Sequence, residues 1–261
     1  MNDSTTHTGA RRPLTPATTG HAVALAIVVA VFVAAANAPY VWLIQNFGYD
    51  DILRESTAII LRRFHLGGDA IVLAWLAFAA GALLFVPVVL VLRRLLQEQG
   101  IDDDGASTLG IASAVAQATG LLRWVFVVPA LATTYVAPDS SEATRRAVVV
   151  TFDSIHRLGG MVIGEAVGQL LLAGWTALTV RHLVRARLVP SWLSFVGAII
   201  PLLWLIGQTE LLHEVLPAVP SIELTPIAFM AWEVWLVAVA SYVLVHAWQA
   251  RRLSLHTVGA R

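Results

Sequence analysis

One arginine and a few carboxylates stand inside runs that are otherwise apolar. Arg123 is followed by Glu165 and Gln169, four positions apart, and by Glu233 between Trp232 and Trp235; Asp69 precedes them all. An ionised group in hydrocarbon costs about 2.5–3.5 kcal/mol on insertion scales, so such groups turn to a bundle interior and pair there. Arg123 is the only cation deep in an apolar run, and a guanidinium fork can hold two carboxylates at once. Glu165 and Glu233 are its expected partners. Two chemistries follow: a static ion pair that fixes helix register, or a site for a ligand or a coupled proton.

A second constellation bears on metals. Glu210 and His213 form a Glu-x-x-His pair, a spacing that carboxylate-bridged di-iron bundles use twice and this chain uses once. Glu210, His213 and His156 together offer a set for a single zinc, although His-Glu-x-x-His is absent. For a bis-histidine haem, His65, His156 and His213 fall near one end of the apolar runs and His21, His182 and His246 near the other. Interfacial histidine is the plainer account of all six, and no cofactor is called for.

Gly160, Gly164 and Gly168 recur every fourth residue, with His156 on the same stripe and Arg157, Met161, Glu165 and Gln169 on the next. Small residues at this spacing let helix backbones approach closely. The stripe serves packing within the chain, or a homodimer or membrane partner.

These residues need elements to hold them. Hydrophobic residues make up 57 % of 261 positions and charged ones 13 %, a balance outside the range of soluble domains. Six apolar runs, about 21–44, 67–92, 109–135, 159–184, 191–211 and 224–248, each approach the ~20 residues that cross a hydrocarbon core. The expected fold is an all-α, polytopic six-transmembrane-helix bundle with the lipid bilayer around it. Residues 1–19 read as a disordered tail and 251–261 as a second tail. Arg11, Arg12 and the run ending at Ala36, Asn37 and Ala38 imitate a signal peptide, but Pro39 would follow the cut, so the first helix is read as retained.

Between the spans, residues 49–65 have the pattern of an amphipathic helix lying in the interface. Residues 97–107, with Asp102, Asp103 and Asp104, read as a solvated loop. Residues 137–154 read as a polar connection with a helix start near Asp139–Ser141. Trp42, Trp192 and Trp248 fall where interfacial anchors belong. His65-Leu66-Gly67-Gly68 is echoed by His156-Arg157-Leu158-Gly159-Gly160, a match short enough to arise by chance.

All 17 basic residues are arginine. The amino tail, the loops after spans two and four and the carboxyl tail carry ten of them, and the other three loops carry six. The positive-inside rule then puts both termini in the cytoplasm. Absence of lysine with heavy Ala and Val use points to a high-GC bacterial genome, and so to a bacterial cytoplasmic (inner) membrane. In that orientation Arg123 lies ~18 Å below the outer end of span three by helix rise, and the other buried polar groups also gather in the outer half. They read as an outward-facing polar pocket with His65 and His156 near its lip. The chain has no cysteine, which removes disulfides and thiol chemistry. With zero formal charge and no basic patch, nucleic acid is not an expected partner.

Leu122–Pro129, Gly159-Gly160 through Gly164-Glu165, Leu188–Leu193, Leu224–Phe229 and Trp232–Trp235 resemble the bacterial membrane family catalogued as domain of unknown function 4386, over roughly residues 65–245. The resemblance implies a membrane protein and brings no activity, cofactor or site residue with it. Three functions remain in view: a small-molecule or lipid binder using Arg123, Glu165, Gln169, Glu233 and Asp69; a metal-assisted membrane enzyme using His156, Glu210 and His213; and a structural or partner-binding subunit using the glycine face.

Overall fold

A computed structural model describes residues 16–49, 51–101 and 104–258. Among them there is no strand. Helix α1 spans Pro16–Phe47, and a 3-10 turn occupies Asp51–Arg54. Helices α2 (Thr57–Leu83) and α3 (Phe85–Glu98) follow, then α4 (Asp104–Phe126), α5 (Val128–Val136) and α6 (Glu142–Ile155). A π-helical stretch, His156–Val167, leads into α7 (Gly168–Ala186), followed by α8 (Ser191–His213) and α9 (Thr225–Val258). Joined end to end, these give six stretches long and apolar enough to cross a membrane: Thr18–Phe47, Thr57–Glu98, Gly105–Val136, Glu142–Ala186, Ser191–His213 and Thr225–Leu253. The protein is a multi-pass, all-α six-helix bundle, as its apolar runs imply.

The boundaries differ from the sequence reading because polar segments stay helical. The second stretch has 42 residues, or ~63 Å of straight α-helix against a hydrocarbon core of ~30 Å. It bends at Gly68, whose φ of 56° and ψ of −147° lie outside the helical region and suit a residue without a side chain. Before the bend, Ile60, Leu61 and Phe64 are buried while Arg62, Arg63 and His65 are exposed, the pattern of an interfacial arm. The 137–154 connection is mostly α6, started by Ser141, whose hydroxyl accepts from the Thr144 N–H at 3.1 Å. In the third stretch Pro129 removes a backbone donor, and the helix breaks at Val127 (φ −115°, ψ −51°). The Gly67-Gly68 and Gly159-Gly160 echoes differ in conformation, one a bend and the other continuous π-helix. Helix α1 begins inside the expected amino tail, and α9 runs into the expected carboxyl tail. Residues 1–15, Asp50, Asp102, Asp103 and 259–261 lie outside the described residues.

Each span packs on the next in chain order, and α9 returns to α1, which closes a ring. The two ends of the ring are filled differently. At the end bearing Arg187, α3 packs on α1, α4 and α7, and Phe85 meets the rings of Phe32, Trp175 and Trp232 at 5.5, 4.8 and 5.2 Å. At the end bearing Arg54, an aromatic cluster joins α1, α2, α4, α5 and α6, with Trp75 stacked on Trp124 at 4.8 Å and 8°. No buried residue of α7, α8 or α9 belongs to that second cluster among the described residues. The first turns of α9 belong instead to the first cluster, where Ala228 and Trp232 are buried and Trp232 meets Phe32 of α1 at 5.7 Å.

Candidate functional site

Polar side chains also join α8 and α9 to the other spans. Gln208 of α8 donates to Gln169 Oε1 of α7 at 2.7 Å. Asn37 of α1 donates to both carboxylate oxygens of Glu233 on α9, at 3.0 and 2.8 Å, and to its own Val33 carbonyl at 2.9 Å. At the surface, Arg54 lies 3.4 Å from Glu210 and 3.2 Å from Glu223, and 3.5 Å from Asp51. Partial desolvation pulls the Arg54 guanidinium down, but Glu223, Glu210 and Asp51 outweigh it and hold the group above its ordinary value. A polar seam thus runs from the surface into the bundle along α8 and α9.

Arg123, on α4, is 9 % exposed. Its Nη1 donates to the Gly120 carbonyl one turn back, and its Nη2 lies 3.4 Å from His156 Nδ1. Guanidinium nitrogens only donate, so Nδ1 accepts and the imidazole proton belongs on Nε2. The Trp124 ring centroid is 5.2 Å from Cζ, a cation–π distance, and the aromatic cluster lies behind that ring. Glu165, half-buried, acts on Arg123 electrostatically.

The glycine stripe makes this burial possible. A methyl built on Gly120 would stand 2.7 Å from Gly164 Cα and 2.8 Å from the Gly159 carbonyl. On Gly168 it would stand 2.7 Å from Gln117 Cγ, and on Gly160 2.6 Å from Arg123 Nη2. Gly160, Gly164 and Gly168 therefore face α4 of the same chain. Gln117 donates to Ser113 Oγ at 2.9 Å, and Ser113 donates to the Gly168 carbonyl at 2.8 Å, where π-helix gives way to α-helix. Side chains of α4 thus supply donors at a point where the helical ladder changes step.

Several sequence assignments change. Arg123 and Glu233 are not brought together: the carboxylate turns to Asn37, whose amide in the next span of the ring is nearer than any cation. Asp69 is exposed, because it follows the Gly68 bend and leaves the bundle interior. The zinc set does not converge. His156 accepts from Arg123, Glu210 faces Arg54, and His213 Nδ1 donates to the Val219 carbonyl at 2.7 Å. No three metal-ligating side chains gather among the described residues. Gln169, 8 % exposed, is in the interior as expected, and Gln208 is its partner. Asn37 was missed as a site residue, although an amide alone in an apolar span is the signal that finds it.

Two cavities lie at the Arg187 end, away from the seam. A small one of about 20 Å³ touches Arg93, Ser107, Thr179 and His182, space for a single water. A larger one of about 310 Å³ touches Arg187 and His246.

A family model described as "Domain of unknown function (DUF4386)" matches residues 22–240. The chain belongs to the DUF4386 family. The DUF4386 match takes in the first span as well as the region of the sequence resemblance, and it covers every residue of the seam from Asn37 to Glu233. Comparison with curated proteins and with solved structures returns no match. What the DUF4386 seam does has to be argued from its own groups.

Proposed function

We propose that this membrane protein binds a small polar molecule or a lipid headgroup at the seam, with Arg123, Glu165, Gln169 and Glu233 as its principal polar groups. The observation that carries this reading is the division of the Arg54 end: its aromatic cluster is drawn from spans one to four alone, while Gln208, Glu233 and Arg54 make polar contacts between those spans and the α8–α9 side. Exposed ion pairs of the Arg54 kind contribute little, typically ~0–1 kcal/mol. A ligand that replaces the Gln169–Gln208 and Asn37–Glu233 contacts with its own hydrogen bonds would part this end and lose little in return. By the arginine distribution the Arg54 end faces outward, with both termini in the cytoplasm of a bacterial cell.

The test is native mass spectrometry of the protein released from the membrane in which it was made. A discrete added mass that Glu165→Gln removes, with the melting transition retained, supports a binding seam. Protein that carries no added mass and loses its fold on Glu165→Gln would make the cluster a structural pin.

A further inference from the structure

We propose a second site: the cavity at the Arg187 end binds an acidic amphiphile, an anionic headgroup carrying a hydrocarbon chain. Its volume of about 310 Å³ falls at the lower edge of the ~300–1,000 Å³ typical of small-molecule sites. It opens where α1 begins, where α3 and α7 end, and beside the last turns of α9, at the depth where span ends meet headgroups. The lining separates by chemistry. Arg187, His246, Gln99 and Gln249 present a cation and hydrogen-bonding groups, while Val243 and Ala247, one turn apart on α9, present an apolar wall. Among the described residues no carboxylate lines the cavity. His246 Nδ1 donates to the Tyr242 carbonyl at 3.2 Å, which leaves Nε2 as the ring's remaining polar atom.

The backbone supplies an independent observation. Arg187 has φ 51° and ψ 33° and is the one non-glycine residue with positive φ among those described. It closes α7 in a Schellman pattern: the Arg187 N–H bonds the Val184 carbonyl and the Leu188 N–H bonds the Leu183 carbonyl, both at 3.1 Å. Glycine fits this position without strain. An arginine in this left-handed conformation stands at the mouth of the cavity with a planar fork that, besides its interaction within the chain, matches phosphate or carboxylate oxygens. The acid comes either from a membrane phospholipid or from a free fatty acid.

The experiment titrates purified protein with phosphatidylglycerol, with phosphatidylcholine of the same chains, and with myristic acid, read by native mass spectrometry. Phosphatidylglycerol is expected to form a one-to-one adduct at least tenfold tighter than phosphatidylcholine. Displacement of that adduct by myristic acid would identify a free acid as the ligand, and retention would identify the phospholipid. Arg187→Gly should fold with an unchanged or raised melting temperature, because it relieves the left-handed position, and should lose the acidic preference by tenfold or more. Ala247→Trp should reduce uptake by filling the apolar wall. Equal binding of the two phospholipids, or undiminished phosphatidylglycerol binding by Arg187→Gly, would overturn the proposal. Glu165→Gln leaves this adduct unchanged, which separates the site from the seam.

Discussion

Arg123 lies directly over Gly160: a methyl at that glycine would stand 2.6 Å from Nη2 and 2.7 Å from Cζ of the arginine. The sequence puts these two residues on neighbouring spans and attaches no relation to them. Their contact explains how a guanidinium is buried with its first hydrogen bonds to a backbone carbonyl and an imidazole. The missing side chain makes the space, and the Trp124 ring closes it.

Two glycine substitutions should therefore differ. At Gly120 an added methyl meets backbone, Gly164 Cα at 2.7 Å and the Gly159 carbonyl at 2.8 Å, and helices must separate to admit it. At Gly160 it meets the end of a side chain, which can shift at the cost of its hydrogen bonds. Gly120→Ala is expected to destabilise by about 1–3 kcal/mol, the range for overpacking, and Gly160→Ala by less. Thermal unfolding in one detergent measures both; equal losses would refute the distinction.

Asn37 and Glu233 give a coupled prediction. Asn37→Leu leaves a carboxylate that is 7 % exposed without its amide partner. A buried group stripped of its partner costs about 1–3 kcal/mol. Glu233→Leu alone leaves the Asn37 amide with only its Val33 carbonyl, and the double variant removes both groups. The double variant should be less destabilised than the sum of the singles, by 0.5 kcal/mol or more on the usual scale of contacting pairs. Strict additivity in unfolding measurements would show that the pair is not a unit.

Span number and class were legible because hydrocarbon imposes its length on every crossing helix. That Glu165, Gln169 and Glu233 are not fully exposed was legible too, since charge in lipid is costly. Pair identity was not. Glu233 was matched to Arg123 by charge, but the ring order of the spans sets α9 beside α1, and only the fold reveals that order. Asp69 was misplaced because nothing in its neighbours announces that Gly68 takes a positive φ, whereas Gly160, in an equivalent run, stays helical. The cavity by Arg187 escaped notice for a similar reason: a left-handed arginine is a property of backbone closure, not of composition.

Arg54 offers a contrast with the buried pairs. Its side chain is 56 % exposed, and its partners Glu210 and Glu223 are 33 % and 61 % exposed. Exposed pairs are worth ~0–1 kcal/mol and weaken with salt. Arg54→Gln is expected to lower the melting transition only slightly, and raising salt from low to physiological concentration should erase most of that difference. A large, salt-independent loss would mean that the surface cluster holds α8 and α9 in place more firmly than its geometry implies.

Membrane orientation is open to a direct test because the chain has no cysteine, so any introduced thiol is the sole target. Asp139 and Ser221 are exposed at the Arg54 end, and Gln97 is exposed at the Arg187 end. The orientation proposed above, from the arginine excess at the Arg187 end, expects that end in the cytoplasm. Single variants Asp139→Cys and Ser221→Cys should react with an impermeant maleimide added to intact cells, and Gln97→Cys only after the membrane is opened. The reverse pattern would invert the bundle and turn the seam toward the cytoplasm. It would also put the Arg187 cavity in the outer leaflet, where an acidic lipid would have to be drawn from a different pool.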